Sequence, residues 1–120
     1  YINKNNKAFI STTQNFKNYE VLWATQSGPM VLIDNKINTL FDKNSKNLNI
    51  RNGVGLTQDG KVVFVISNVP VSFYDFANYF VQQGCKDALY LDGAISNIYL
   101  KDKRNFSLMD NFGVMIGVTK

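Results

Sequence analysis

Ile50-Arg51-Asn52-Gly53-Val54-Gly55-Leu56-Thr57-Gln58-Asp59-Gly60-Lys61-Val62-Val63-Phe64-Val65-Ile66-Ser67 is the stretch whose reading decides the fold. Two strand-like runs flank Gln58-Asp59-Gly60. Asp-Gly between such runs is a strong hairpin signal, because a type I′ turn needs positive φ at both central residues. With Asp59 and Gly60 at those positions, Gln58 faces Lys61, Val54 faces Val65, Asn52 faces Ser67 and Arg51 faces Asn68.

Downstream, Pro70 interrupts and a helix begins. Ser72 is a good N-cap, and Asp75 stands three residues later in a capping-box arrangement. Phe73, Phe76, Ala77, Phe80 and Val81 fall on one helical face, which reads as a core face. Gly84 supplies the C-terminal stop, so the spacing predicts one principal helix over 72–83. A strand at Ala88–Leu91 follows. Strand, helix, strand at this spacing predicts a right-handed βαβ unit with parallel strands. The C-terminal ends of 61–67 and 88–91 then lie on one edge, and the hairpin register adds Arg51 and Asn52 to it. Ligands commonly bind beyond the carboxyl ends of parallel strands. The prediction is one polar cluster of Arg51, Asn52, Ser67, Asn68, Asp92, Gly93 and Ser96.

Within that cluster Tyr90-Leu91-Asp92-Gly93-Ala94-Ile95-Ser96 is the most informative segment. An apolar strand delivers Asp92 straight into a glycine turn, so the sheet holds the carboxylate rigidly. Gly93 permits a sharp turn or a close approach to a ligand. An Asp-Gly turn after a strand is also a common structural element. The other groups that converge on it favour a site.

Upstream, Ala8-Phe9-Ile10 reads as a weak strand, Val21–Thr25 as a second, and Gln26-Ser27-Gly28-Pro29 as a tight bend. Met30–Ile33 is a short apolar strand, with Asp34-Asn35 turning the chain into Ile37. Residues 112–119 read as a terminal strand. The fold class expected is α+β: a mixed β-sheet core with hairpins and one principal helix packed on it. At this length residues 1–120 are one domain or part of one.

Composition narrows the chemistry. Of 120 residues, 45% are hydrophobic, enough for a core, and the net charge of +4 comes mostly from scattered single lysines. A nucleic-acid interface needs a concentrated basic footprint, and none is visible. Mild attraction to anionic polymers stays open. Histidine is absent, which removes Ser-His and Cys-His catalysis and His-ligated zinc from this stretch of chain. The single cysteine, Cys85, has no partner for an intrachain disulfide and reads as packing. Acid–base chemistry falls to carboxylates, tyrosines, lysines or an oxygen-ligated divalent cation, although nothing in the sequence requires a metal or other cofactor. No apolar run approaches transmembrane length.

Several motifs, in order, resemble a known family. Ala24-Thr25-Gln26-Ser27-Gly28-Pro29-Met30-Val31, Arg51-Asn52-Gly53-Val54-Gly55, residues 70–77, Tyr90–Ser96 and the closing Phe112–Val118 are similar to the bacterial, exopolysaccharide-related branch of the phosphodiester glycosidases. That family includes the enzyme that uncovers mannose 6-phosphate by removing N-acetylglucosamine from its diester. The resemblance covers nearly the whole chain. The family often has Asp-Gly-Gly-Gly-Ser where this chain has Asp92-Gly93-Ala94-Ile95-Ser96, so the two central residues depart. The family's upstream Asn-Gly/Ala-Gly-Met/Phe-Phe motif and further strands have no counterpart here. Residues 1–120 therefore resemble the C-terminal part of a larger domain.

The resemblance implies a hydrolase that cleaves an N-acetylglucosamine-like 1-phosphodiester in a cell-envelope or exopolysaccharide setting, periplasmic or secreted. Asp92 is the carboxylate expected to be catalytic. Arg51 suits phosphate, because a guanidinium donates two parallel hydrogen bonds. Asn52, Asn68, Gly93 and Ser96 would meet sugar hydroxyls or phosphate oxygens, and the resemblance adds Gln26, Ser27 and Gly28. The partner expected is a phosphorylated glycan or sugar phosphodiester. An unpaired sheet edge invites a homodimer. The alternative is a non-catalytic module that binds carbohydrate or envelope polymer on the same scaffold.

Overall fold

In the computed structural model, residues 1–18, 20–91, 96–100 and 116–119 are described. The elements are β1 (Ile2–Asn3), a 3₁₀ turn (Thr13–Asn15), β2 (Val21–Trp23), β3 (Met30–Ile33), β4 (Lys36–Ile37), β5 (Asn52–Thr57), β6 (Val62–Ile66), α1 (Phe73–Gln82) and β7 (Cys85–Tyr90). The class is α+β. Strands β1 and β2 pair as a small separate sheet, and the main sheet has the order β4-β3-β7-β5-β6. Every ladder between these strands is antiparallel.

The parallel relation expected across the helix is present but indirect. β6 and β7 each run antiparallel to β5, so they run parallel to one another with β5 between them. Their C-terminal ends share an edge with the start of β5, because Asn52 pairs with Ile66 and Gly53 with Tyr90.

The 50–67 hairpin forms with a register one residue from that expected. Val54 faces Phe64 rather than Val65, and Asn52 faces Ile66 rather than Ser67. Ser67 instead meets Arg51, donating its N–H to the Arg51 carbonyl at 2.8 Å. The loop has three residues, Gln58 to Gly60, closed by Thr57 N–H to Lys61 O at 2.9 Å and Gly60 N–H to Thr57 O at 3.1 Å. Only Gly60 takes positive φ, at +84°, as in a type I turn followed by a left-handed bulge residue. The I′ geometry occurs in the other hairpin, where Asp34 and Asn35 have φ of 46° and 65°.

Helix α1 starts where expected. The Ser72 hydroxyl accepts from Asp75 N–H at 3.0 Å and donates to the Asp75 carboxylate at 2.7 Å. Gly84, with φ of +73°, closes the C-terminus. Phe76, Ala77 and Phe80 are buried in a core with Val31, Leu32, Cys85, Ala88 and Tyr90, and Phe73 packs against that core. Val81 is exposed, a departure from the predicted apolar face. The helix comes so close because β5 presents glycines to it. A Cβ on Gly53 would stand 3.0 Å from Phe76 Cε1, and one on Gly55 would stand 2.6 Å from Phe80 Cδ1 and also 2.6 Å from Cys85 Sγ of β7.

Near the N-terminus, Ile2–Asn3 forms the strand, while Ala8 contributes a single bridge to Ile2. The Tyr1 ring lies 5.0 Å from Phe9 and 5.2 Å from Phe16, and these contacts hold the segment together. The terminal strand expected at 112–119 falls largely outside the described residues, and 116–119 carry no strand. No helix among the described residues is long and apolar enough to cross a membrane.

Candidate functional site

Four segments meet at the edge where β7 ends. β3 runs antiparallel to β7, so the bend before β3 arrives there, and Tyr90 N–H donates to Pro29 O at 3.1 Å. Within that bend the Gly28–Pro29 peptide is cis. β5 begins at the same edge, and Leu91 N–H donates to Asn52 O at 3.2 Å. β6 ends there, leading into Ser67 and Asn68. The fourth segment is Leu91 itself, which precedes Asp92 in the chain.

Two side chains fasten this junction. The Ser27 hydroxyl sits against two successive carbonyls, donating to Tyr90 O at 2.6 Å and also to Leu91 O. One proton shared between two acceptors holds the strand end from the side of the 26–29 bend. The Asn52 side chain donates from Nδ2 to Ser96 Oγ at 2.6 Å. Asn52 thus holds both flanks of the 92–95 segment, Leu91 through its backbone carbonyl and Ser96 through its amide. Asp92 and Gly93 lie outside the described residues.

The other predicted residues separate into two groups. Gln26, Gly28 and Asn68 are exposed at this end of the molecule. Gln26 Nε2 donates to Thr13 Oγ1 at 3.4 Å, and a Cβ on Gly28 would meet open space. Asn68 borders a groove of about 340 Å³ along β6, with Phe64, Tyr79 and Ile98 among its walls.

Arg51 does not join the surface shared by Asn52 and Ser96. Successive strand residues point to opposite faces. Gly53 and Gly55 face α1, so Arg51 faces it too, and Asn52 faces away. The Arg51 side chain is 2% exposed. Its Nε donates to Val71 O at 2.9 Å and its Nη2 to Asn47 O at 3.0 Å. The guanidinium lies 3.6 Å from the Phe73 ring centroid. Burial pulls its pKa down, opposed by the charge interaction and hydrogen bond with the Tyr90 side chain.

The described carboxylates other than Glu20 have local duties. Asp42 caps Asn44 N–H, Asp75 caps α1, and Asp87 accepts Asp34 N–H at 3.1 Å. Asp34 occupies the I′ turn. Asp59 pairs with Lys61 at 2.6 Å in the hairpin loop. That hydrogen bond, with a second from Thr57, draws the Asp59 pKa down to about 2. Among the described residues no group of three or more metal-type side chains is gathered. Cys85 is buried against Gly55, and burial raises its thiol pKa, in keeping with packing.

Sequence comparison bears directly on this arrangement. A family model described as phosphodiester glycosidase matches residues 1–114. The uncharacterized protein YigE of Escherichia coli (strain K12) is 42% identical over 83 residues, covering 68% of this chain and 33% of that protein. The chain therefore spans about a third of the length of the curated relative it matches. No solved structure matches. The bend at 26–29, the start of β5 and the end of β7 all lie inside the matched span, and the chain belongs to the phosphodiester glycosidase family.

Proposed function

We propose that the full-length protein hydrolyses a glycosyl 1-phosphodiester, with an N-acetylglucosamine-like sugar, in a cell-envelope or exopolysaccharide setting. Family membership supports the reaction class. The observation that carries the reading is the double anchorage at the end of β7. Ser27 and Asn52 both fix Leu91, and Asn52 also holds Ser96. Such rigidity is what a catalytic carboxylate requires of its support.

In this reading Asp92 is the catalytic carboxylate. Departure of the phosphate builds positive charge on the sugar ring, and a carboxylate stabilises it or attacks it. Glycosidases ordinarily use two carboxyl groups. Asp42, Asp59, Asp75 and Asp87 already hold local hydrogen bonds, which leaves the second to Glu20, to Asp102 or Asp110, or to the rest of the protein. Gln26, Gly28, Asn68 and Gly93 would contact sugar or phosphate at the rim. Ser96 and Asn52 would meet the substrate at the same edge.

That same occupation of the described carboxylates favours a second reading, a module that binds an anionic glycan without cleaving it. One experiment separates the two. Full-length protein is incubated with an N-acetylglucosamine 1-phosphodiester, and free sugar is measured alongside binding heat. Turnover that falls by about 10²–10⁴-fold in Asp92→Asn, with an unchanged melting temperature, fits the hydrolase. Binding with no turnover in the wild type fits the module. Unchanged turnover in Asp92→Asn removes that residue from catalysis.

A further inference from the structure

Arg51 is the most deeply buried charged group among the described residues, and the proposed hydrolase chemistry does not use it. No described carboxylate pairs with it. A buried charge is costly unless its donors are satisfied, and here neutral groups satisfy them. Nε and Nη2 reach the carbonyls of Val71 and Asn47, and the guanidinium carbon lies 3.6 Å from the Phe73 ring centroid and 5.8 Å from that of Tyr90. The Phe73 ring also stacks on Phe41 at 4.7 Å and meets Tyr90 edge-on at 5.0 Å. Val71 O additionally accepts Asn49 N–H at 3.2 Å. The backbone of Arg51 holds Ser67 on both sides, its N–H donating to Ser67 Oγ at 2.9 Å and its carbonyl accepting from Ser67 N–H at 2.8 Å.

These contacts join the 47–51 approach, the end of β6, the entry to α1 and the end of β7. We propose that Arg51 is a positioning residue that sets the end of the sheet from its helix side, and that it is not the ligand of the substrate phosphate. Its immediate neighbour Asn52 works from the other face of the same strand. Both residues bear on the end of β7, Arg51 beside the Tyr90 ring and Asn52 through its backbone carbonyl, which accepts from Leu91 N–H. Lysine cannot replace such an arginine. It keeps the charge but lacks the planar fork that reaches two carbonyls while lying on a ring.

The kinetic part of this inference rests on the hydrolase reading, and the spectroscopic part does not. Full-length protein labelled with ¹⁵N-arginine gives an Arg51 Nε–H signal, assigned by its loss in Arg51→Lys. That signal is expected upfield because of the Phe73 ring, slow to exchange with solvent, and unmoved when inorganic phosphate is titrated. In the sugar phosphodiester assay, Arg51→Lys and Arg51→Met are both expected to lose about 10–100-fold in kcat, with KM nearly unchanged. A saturable shift of the Arg51 signal with phosphate would overturn the proposal. So would an Arg51→Lys variant that keeps kcat and raises KM. If the wild type gives no turnover, the hydrolase reading fails, and the phosphate titration still decides the role of Arg51.

Discussion

Gly55→Ala tests the packing that seats the helix against β5. The added methyl carbon would stand 2.6 Å from Phe80 Cδ1 and 2.6 Å from Cys85 Sγ. Comfortable carbon contacts lie at about 3.5–4.0 Å, so the new atom is about 1 Å too close on two sides. Phe80 is fully buried and cannot swing into solvent. Overpacking of this kind costs about 1–3 kcal/mol. Against it, alanine restricts the unfolded chain and returns about 0.4–1 kcal/mol. The expected net effect is a loss of about 1–2 kcal/mol, read as a lower urea midpoint with an unchanged slope. A second variant identifies the cause. Cys85→Ala removes one of the two obstructing atoms, so Gly55→Ala/Cys85→Ala should be more stable than the sum of the single effects predicts. The reasoning fails if Gly55→Ala is neutral or stabilising. It also fails if the two substitutions simply add, because the clash would then not involve the Cys85 sulfur.

Three further outcomes follow from the geometry. In a double-mutant cycle on urea stability, Asn52→Ala and Ser96→Ala should couple by about 0.5–1.5 kcal/mol, the net worth of a neutral hydrogen bond, and strict additivity would mean that the bond is not made in solution. Ser27→Ala leaves the Tyr90 and Leu91 carbonyls without their hydroxyl donor and should cost about 1–3 kcal/mol, together with faster amide exchange at Tyr90 and Leu91; a fully neutral substitution would contradict the contact. The Asp59 carboxyl, held down at about 2 by Lys61 and Thr57, contributes stability that is present above its unfolded pKa and lost as pH falls through its folded one. The stability gap between wild type and Asp59→Asn should therefore be flat above about pH 4 and shrink toward pH 2, and a gap that widens on acidification would reverse the sign.

Much of the fold is legible in local signals. Ser72, Asp75 and Gly84 mark the helix because capping chemistry is local, and Met30–Ile33 is bounded by turn residues on both sides. The hairpin register is less legible, because Asp-Gly serves two turn geometries. Here Thr57 selects the longer loop. Its hydroxyl donates to Asp59 Oδ1 at 2.5 Å and accepts Lys61 N–H at 2.9 Å, a network that needs three residues between the strands. The Asp34-Asn35 turn, which lacks glycine, nevertheless takes positive φ at both positions, as these two residue types tolerate. The sequence therefore holds the signal for each turn, but the competing side-chain network decides which geometry forms.

The site follows the same division between local and distant information. That Arg51 and Asn52 could not share a surface was readable from strand alternation alone. Glycine at 53 and 55 supplied a further sign, since two glycines on one face of a strand mark close approach by another element. Arg51 lies on that crowded face, so its burial follows from the same alternation. The arrival of Ser27 at the end of β7 was different. It depends on β3 pairing with β7 across more than fifty residues of chain, and no local pattern near Gln26-Ser27-Gly28 encodes that pairing. Only the family resemblance drew attention to the bend. Once β3 is placed antiparallel to β7, the start of one strand must lie beside the end of the other. The Ser27 hydroxyl then reaches the carbonyl that precedes Asp92 by topology, and the anchorage proposed to support the carboxylate is a consequence of strand order.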